Sequence, residues 1–147
     1  MQLDHAWIAS HIPHQGTMCL LHAVQEWSPE RLLCSAVSHY AIDNPLRSHG
    51  RLAAACGIEY AAQAMAVHGA LIANGAPQRQ GYLASVRGVA LHVPRLDDLA
   101  QPLDIEIVRF SGDDNTILYD FSIRVERSLL LEGRAAVFMQ SIERIFN

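Results

Sequence analysis

The chain has 147 residues, 50% hydrophobic and 18% charged, the balance of a folded domain and not of a disordered tail. A net charge of -4, with the 11 Lys and Arg residues scattered singly, excludes a nucleic-acid footprint and a polybasic membrane surface. Three cysteines (Cys19, Cys34, Cys56), odd in number and without a CxxC pair, read as reduced thiols in a cytoplasmic setting and not as a disulfide framework.

Residues 2–10 predict a short amphipathic turn of helix with Leu3, Trp7 and Ile8 on its apolar side. The acid, histidines and proline of this opening do not fit the basic start and apolar run of a signal peptide. Pro13 and Gly16 then punctuate a loop. Met18 to Trp27 and Arg31 to Tyr40 read as two strands joined at Ser28-Pro29-Glu30. Ala41 to Gly50 (AIDNPLRSHG) is turn chemistry with neither helical nor strand period.

Arg51 to Asn74 is the element around which the rest is arranged. From Ala53 it has helix-forming composition, no proline and one formal charge, Glu59. It is apolar nearly all round, which argues for burial. Glu59, Gln63, His68 and abundant alanine make it a core helix and not a membrane span. Asn74-Gly75-Ala76-Pro77 stops it. Gly81 to Val93 reads as a strand, ended by Pro94 and an acidic turn.

Pro102 to Phe110 alternates, with Leu103, Ile105 and Ile107 on one face, and Thr116 to Arg127 alternates after a Gly112-Asp113-Asp114-Asn115 turn. Ser128 to Gln140 closes the series, with Gly133 as a candidate bulge. Two strands, one buried helix and about four strands in meander order predict an α+β chain, a curved antiparallel sheet wrapped around one long helix. That is the hot-dog arrangement, expected here as a single domain over 1–147. Such a sheet covers only part of its helix, so a dimer is expected, either homodimer or heterodimer.

The block Ile12-Pro13-His14-Gln15-Gly16-Thr17-Met18-Cys19-Leu20-Leu21 resembles the opening of the β-hydroxyacyl-acyl carrier protein dehydratases. Glu59-Tyr60-Ala61-Ala62-Gln63 is similar to the E-x-x-A-Q signature of their central helix, and Gly81 to Val86 to the strand that follows it. Asn44-Pro45-Leu46-Arg47, Gly50-Arg51-Leu52 and the run from Gly57 to Gln63 resemble a narrower branch, the dehydratase-like proteins of bacterial aryl-polyene clusters.

The resemblance implies loss of water from a 3-hydroxyacyl thioester, giving a trans-2-enoyl product. The acyl chain would arrive on the phosphopantetheine arm of an acyl carrier protein, with no cofactor bound by this chain itself. Such a reaction needs a base near the α-carbon, an acid near the β-hydroxyl and a donor to the thioester carbonyl. The resemblance assigns the acid to Glu59 and the carbonyl donor to helix N-terminal amides.

The family's histidine loop, H-F-P-G, is missing, and Pro45 stands at its spacing before the acid. His49, at the same loop-to-helix junction, is the candidate base, and His39 the second. Gln63, Gly57 and Arg51 are the expected substrate-binding residues, with Arg47 and Arg51 flanking the entrance loop. His14 reads as a brace of the opening loop. Cys56 lies at a helix start that favours thiolate, but it reads more simply as a small buried thiol. Glu59 also admits a structural reading, as an ion pair with Arg51 or Arg87.

The remaining histidines show no H-E-x-x-H spacing, so no metal site is expected. Two alternatives stand beside the dehydratase: a non-catalytic partner subunit of a heterodimeric dehydratase, and a hot-dog acyl thioesterase working with one carboxylate and a water.

Overall fold

The computed structural model describes residues 2–76 and 79–140. Helix α1 (His5–His11) starts where the Asp4 carboxylate accepts from the Trp7 amide at 3.0 Å, satisfying a first-turn donor. It ends where Pro13 forbids continuation. Strands β1 (Ala23–Ser28) and β2 (Arg31–Ala36) form a tight hairpin in which Ser28 pairs with Arg31 across Pro29-Glu30.

Both strands are shorter than their sequence suggests. Met18 belongs to a 3-10 turn, and Ser38–Tyr40 forms another. The apolar run Cys19-Leu20-Leu21 is buried without being strand, because its backbone bonds are met elsewhere, including by the Gln63 side chain at Leu20.

The central helix α2 (Gly57–Ala73) is preceded by a 3-10 turn, Ala54–Cys56. It stops at Asn74 (φ 49°) and Gly75 (φ 85°), the left-handed exit that asparagine and glycine tolerate. Strands β3 (Gly81–Leu91), β4 (Leu103–Gly112), β5 (Thr116–Val125) and β6 (Ser128–Met139) complete one antiparallel sheet in the order β1-β2-β4-β5-β6-β3.

Alternation sets the face. Leu103, Ile105 and Ile107 of β4, and Tyr119, Phe121, Ile123 and Val125 of β5, are buried, and they join Tyr60, Ala61, Ala64, Val67 and Leu71 of α2 in one core. Small alanines let the sheet close on the helix. At its start the approach is tighter still, since a Cβ on Gly57 would lie 2.8 Å from Leu131 Cδ2.

Gly133 marks a bulge without being its extra residue: β3 carries Gly88 and Val89 opposite it, between the pairs Arg87–Arg134 and Ala90–Glu132. It sits in register opposite Phe121, whose ring occupies the space a Gly133 side chain would need. The extra residues of the register shifts lie in β3, β1 and β4 and, at Leu130, in β6 itself. Strand β3 is exposed along nearly its whole length; it pairs with β6 alone and is one of the sheet's two edges, β1 being the other. Among the described residues no helix is long and apolar enough to cross a membrane.

Candidate active site

The start of α2 is fixed by a clasp. Leu52 and Ala54 bond to the segment before β4 (Leu96 N to Leu52 O, 2.8 Å; Ala54 N to Pro94 O, 3.1 Å), and Asp97 accepts the Leu52 amide at 2.8 Å. Asp97 is held well below the usual carboxylate range, first by the Arg95 guanidinium, so it stays charged as the anchor. The clasp places Glu59 in the first turn of α2 and Gln63 one turn later on the same face.

Gln63 is fully buried and every bond it makes is directional. Its Oε1 accepts the Leu20 amide at 2.9 Å, and its Nε2 donates to Met18 O at 2.7 Å and to Glu59 Oε1 at 3.3 Å. One backbone donor and one backbone acceptor settle which end of the amide is which. The side chain therefore does two jobs. It staples the loop ahead of β1 onto the helix, and it holds one carboxylate oxygen of Glu59.

That staple delivers a histidine. His14 Nε2 lies 3.2 Å from Glu59 Oε1, with the two side chains 27% and 36% exposed. Both line one cavity of about 500 Å³ together with Pro13, Ala62, Ala66 and Tyr119. His14 Nδ1 is buried and has no partner among the described residues, so no protein group commits the ring's tautomer from behind. Glu59 Oε1 is engaged by His14 and Gln63; Oε2 is the oxygen left for a ligand.

Within the chain the histidine beside Glu59 is thus His14 and not His49. His49 is exposed at the tip of a two-residue hairpin turn, where Ser48 and Arg51 pair across it. His49 (φ 53°) and Gly50 (φ 74°) both take the left-handed conformation such a turn demands. The His49 ring meets only the Ser48 hydroxyl, at 3.1 Å. His39 is fully buried, its Nε2 2.9 Å from Leu99 O, and desolvation pushes its pKa down.

Arg51 is exposed in the same turn as His49, and Arg47 Nη1 donates to Gly50 O at 3.1 Å. Gly57 packs on Leu131 and Ile123 and is absent from the cavity wall. The amides of Ala54, Cys56 and Gly57 already donate to carbonyls, the cost of entering the helix through a 3-10 turn. Burial raises the Cys56 thiol pKa, so the thiol stays protonated. The site partner of Glu59 is neither Arg51 nor Arg87.

A second buried polar pair backs the cavity. His68 Nε2 lies 2.7 Å from Ser28 O, which makes it the donor and leaves Nδ1 to accept from the Tyr119 hydroxyl at 2.9 Å. Burial drives the two apart in titration: His68 is pushed down and Tyr119 is pushed up to about 12. Both are neutral in the folded chain near neutrality.

The ApeP-like family, described as ApeP dehydratase, matches residues 6–147. Among solved structures, a chain of the dehydratase heterocomplex ApeI:P from Xenorhabdus doucetiae is 23% identical, with a TM-score of 0.82 over 95% of this chain and 94% of that one. A putative thioesterase from Shewanella oneidensis aligns at 13% identity and TM-score 0.64, over 95% of each chain. Thioesterase superfamily member 2 from Mus musculus aligns at 11% and 0.62, over 93% of this chain and 94% of that one. At these identities the structural likeness shows the hot-dog fold alone. No curated protein matches the chain by sequence.

Proposed function

The chain belongs to the ApeP-like dehydratase family, and from that premise we propose that it removes water from a 3-hydroxyacyl thioester presented on an acyl carrier protein, with His14 and Glu59 as the reacting pair. The observation that carries this reading is the 3.2 Å contact between His14 Nε2 and Glu59 Oε1 at the wall of a cavity large enough for an acyl chain.

The proposed cycle starts from a neutral His14 and a protonated Glu59. His14 Nε2 takes the α-proton, the β-carbon–oxygen bond breaks, and Glu59 delivers its proton to the departing hydroxyl, leaving the trans-2-enoyl thioester and water. His14 then releases its proton and Glu59 Oε2 regains one by exchange with water, and the pair is reset with no net gain or loss. Gln63 keeps Oε1 turned towards His14, so Oε2 faces the substrate hydroxyl. The chemistry is proton transfer and calls on no cofactor of this chain; the phosphopantetheine arm belongs to the carrier.

A thioesterase would use Glu59 with a water and would not need His14. A hydroxyacyl-carrier substrate separates the two: the dehydratase yields an enoyl thioester, the thioesterase a free thiol. Glu59→Gln retaining full dehydration would remove the carboxylate from the mechanism.

A second dehydratase-like subunit, identical or different, is proposed along β3. The Xenorhabdus doucetiae chain is itself part of a dehydratase heterocomplex. Here Gly81, Tyr82 and Leu83 of β3 are at once cavity wall and sheet edge, so a strand added there would finish the cavity. The carrier, the cytoplasmic location and an aryl-polyene or fatty-acid-like product belong to the same proposal.

A further inference from the structure

The cavity contains a cation that the proton chemistry leaves unused. Arg79, just ahead of β3, lines it together with His14 and Glu59. Its Nε donates to Gln140 O and its Nη1 to Asp114 O, both at 2.6 Å. Both acceptors are neutral carbonyls, so neither of these bonds neutralises the guanidinium. Among the described residues no carboxylate comes within 4.0 Å of it. Two of a guanidinium's five N–H donors are used among the described residues, leaving three for other partners.

Its position is informative. Gly57, at the start of α2, packs on Leu131 near the beginning of β6, whereas Arg79 is tied to Gln140 just past the end of β6. Arg79 therefore sits towards the end of the sheet opposite the start of the helix. The helix face lining the cavity carries Glu59, Ala62, Ala66 and Gly69, a climb of about 15 Å along the axis. The wall between is largely apolar, with Met65, Leu83, Ile117 and Val137. The result is a cavity with an acid–base pair near the start of the helix, an apolar wall between, and at the other end a guanidinium that no carboxylate among the described residues neutralises.

We propose that Arg79 is an anion subsite of this cavity, binding an anionic group of the thioester substrate at a distance from the reacting carbons. Two parts of such a substrate carry that chemistry: the phosphate of the carrier arm, and a carboxylate at the far end of an acyl chain. The choice of these ligands rests on the dehydratase reading; the charge and the cavity do not.

Direct binding tests it without turnover. Calorimetric titrations of the full chain compare 4′-phosphopantetheine with pantetheine. They also compare N-acetylcysteamine thioesters of saturated acids, which lack the 3-hydroxyl and cannot be dehydrated, with and without a terminal carboxylate. In one of the two pairs the anionic member is expected to bind at least about tenfold more tightly, Arg79→Met to abolish that preference, and Arg79→Lys to retain part of it, which is about 1.4 kcal/mol per tenfold.

The pair that responds names the source. No anion preference in the wild-type chain for either pair overturns the proposal, whether or not the Met variant folds. So does a preference that survives in Arg79→Met. Anion preference in a chain that dehydrates nothing leaves the subsite standing and removes the dehydratase reading instead.

Discussion

At His14, the meaning of one side chain depends on a bond made by another. A histidine in an apolar opening motif reads as a loop brace, and nothing in its spacing from Glu59 along the chain says otherwise. What brings it to the acid is the amide of Gln63, which binds Leu20 N and Met18 O and so lays the preceding loop on the helix. Removing either reacting group is expected to lower kcat for dehydration by about 10²–10⁴-fold, as Glu59→Gln or His14→Asn, with circular dichroism unchanged. His49→Ala, at an exposed turn, is expected to remain near the wild-type rate. Gln63→Leu has a different signature. It strands a buried amide and a carbonyl, so urea denaturation should show a loss of about 2–4 kcal/mol together with lost activity. Glu59 and Gln63 were legible as a motif because both lie on one helix, where spacing is geometry. His14 was not, because its distance to Glu59 is set by a loop that only tertiary bonds position.

For the elements, alternation and capping carried most of the information. The strands β4 and β5 bury the faces their period-two pattern marks, and α2 ends at Asn74-Gly75 as its sequence announces. The first two strands are shorter than their apolar pattern, because a run such as Cys19-Leu20-Leu21 reads the same whether a strand or a buried loop is burying it. The same helix carries His68, buried and neutral, and His39 is likewise buried beyond β2. Desolvation is the first cause of the lowered pKa of each, against an ordinary 6.5. Their folded values lie below their unfolded ones, so the unfolded chain binds more protons in between and stability rises with pH. The stabilisation is fully present above about pH 6.5 and is lost as pH falls through the lower folded values. Urea midpoints should therefore drop between pH 7.5 and 5.5, and His68→Gln should flatten that drop. A pH-independent midpoint over this interval would mean that neither ring is protected from protonation.

The molecule as a whole is a sheet whose one long exposed strand is also part of its cavity. β3 leaves Tyr82, Leu83, Val89 and Leu91 in solvent and one backbone edge unpaired, a state that folded proteins normally cover. Light scattering after gel filtration is expected to give a dimer, alone or with a dehydratase-like partner, and Leu83→Lys with Val89→Lys to give monomers of normal secondary structure. Monomers from the unmodified chain under both conditions would leave the edge without the partner proposed for it. The most direct measurement is product analysis by mass spectrometry on a 3-hydroxyacyl-carrier protein, with the wild-type chain, Glu59→Gln, His14→Asn and His49→Ala, each with and without the partner subunit. The expected result is an enoyl-carrier product, lighter by one water, from the wild type and His49→Ala, and little from the other two. An enoyl product made at the wild-type rate by Glu59→Gln or His14→Asn, or a free acid and thiol in place of the enoyl thioester, would contradict it.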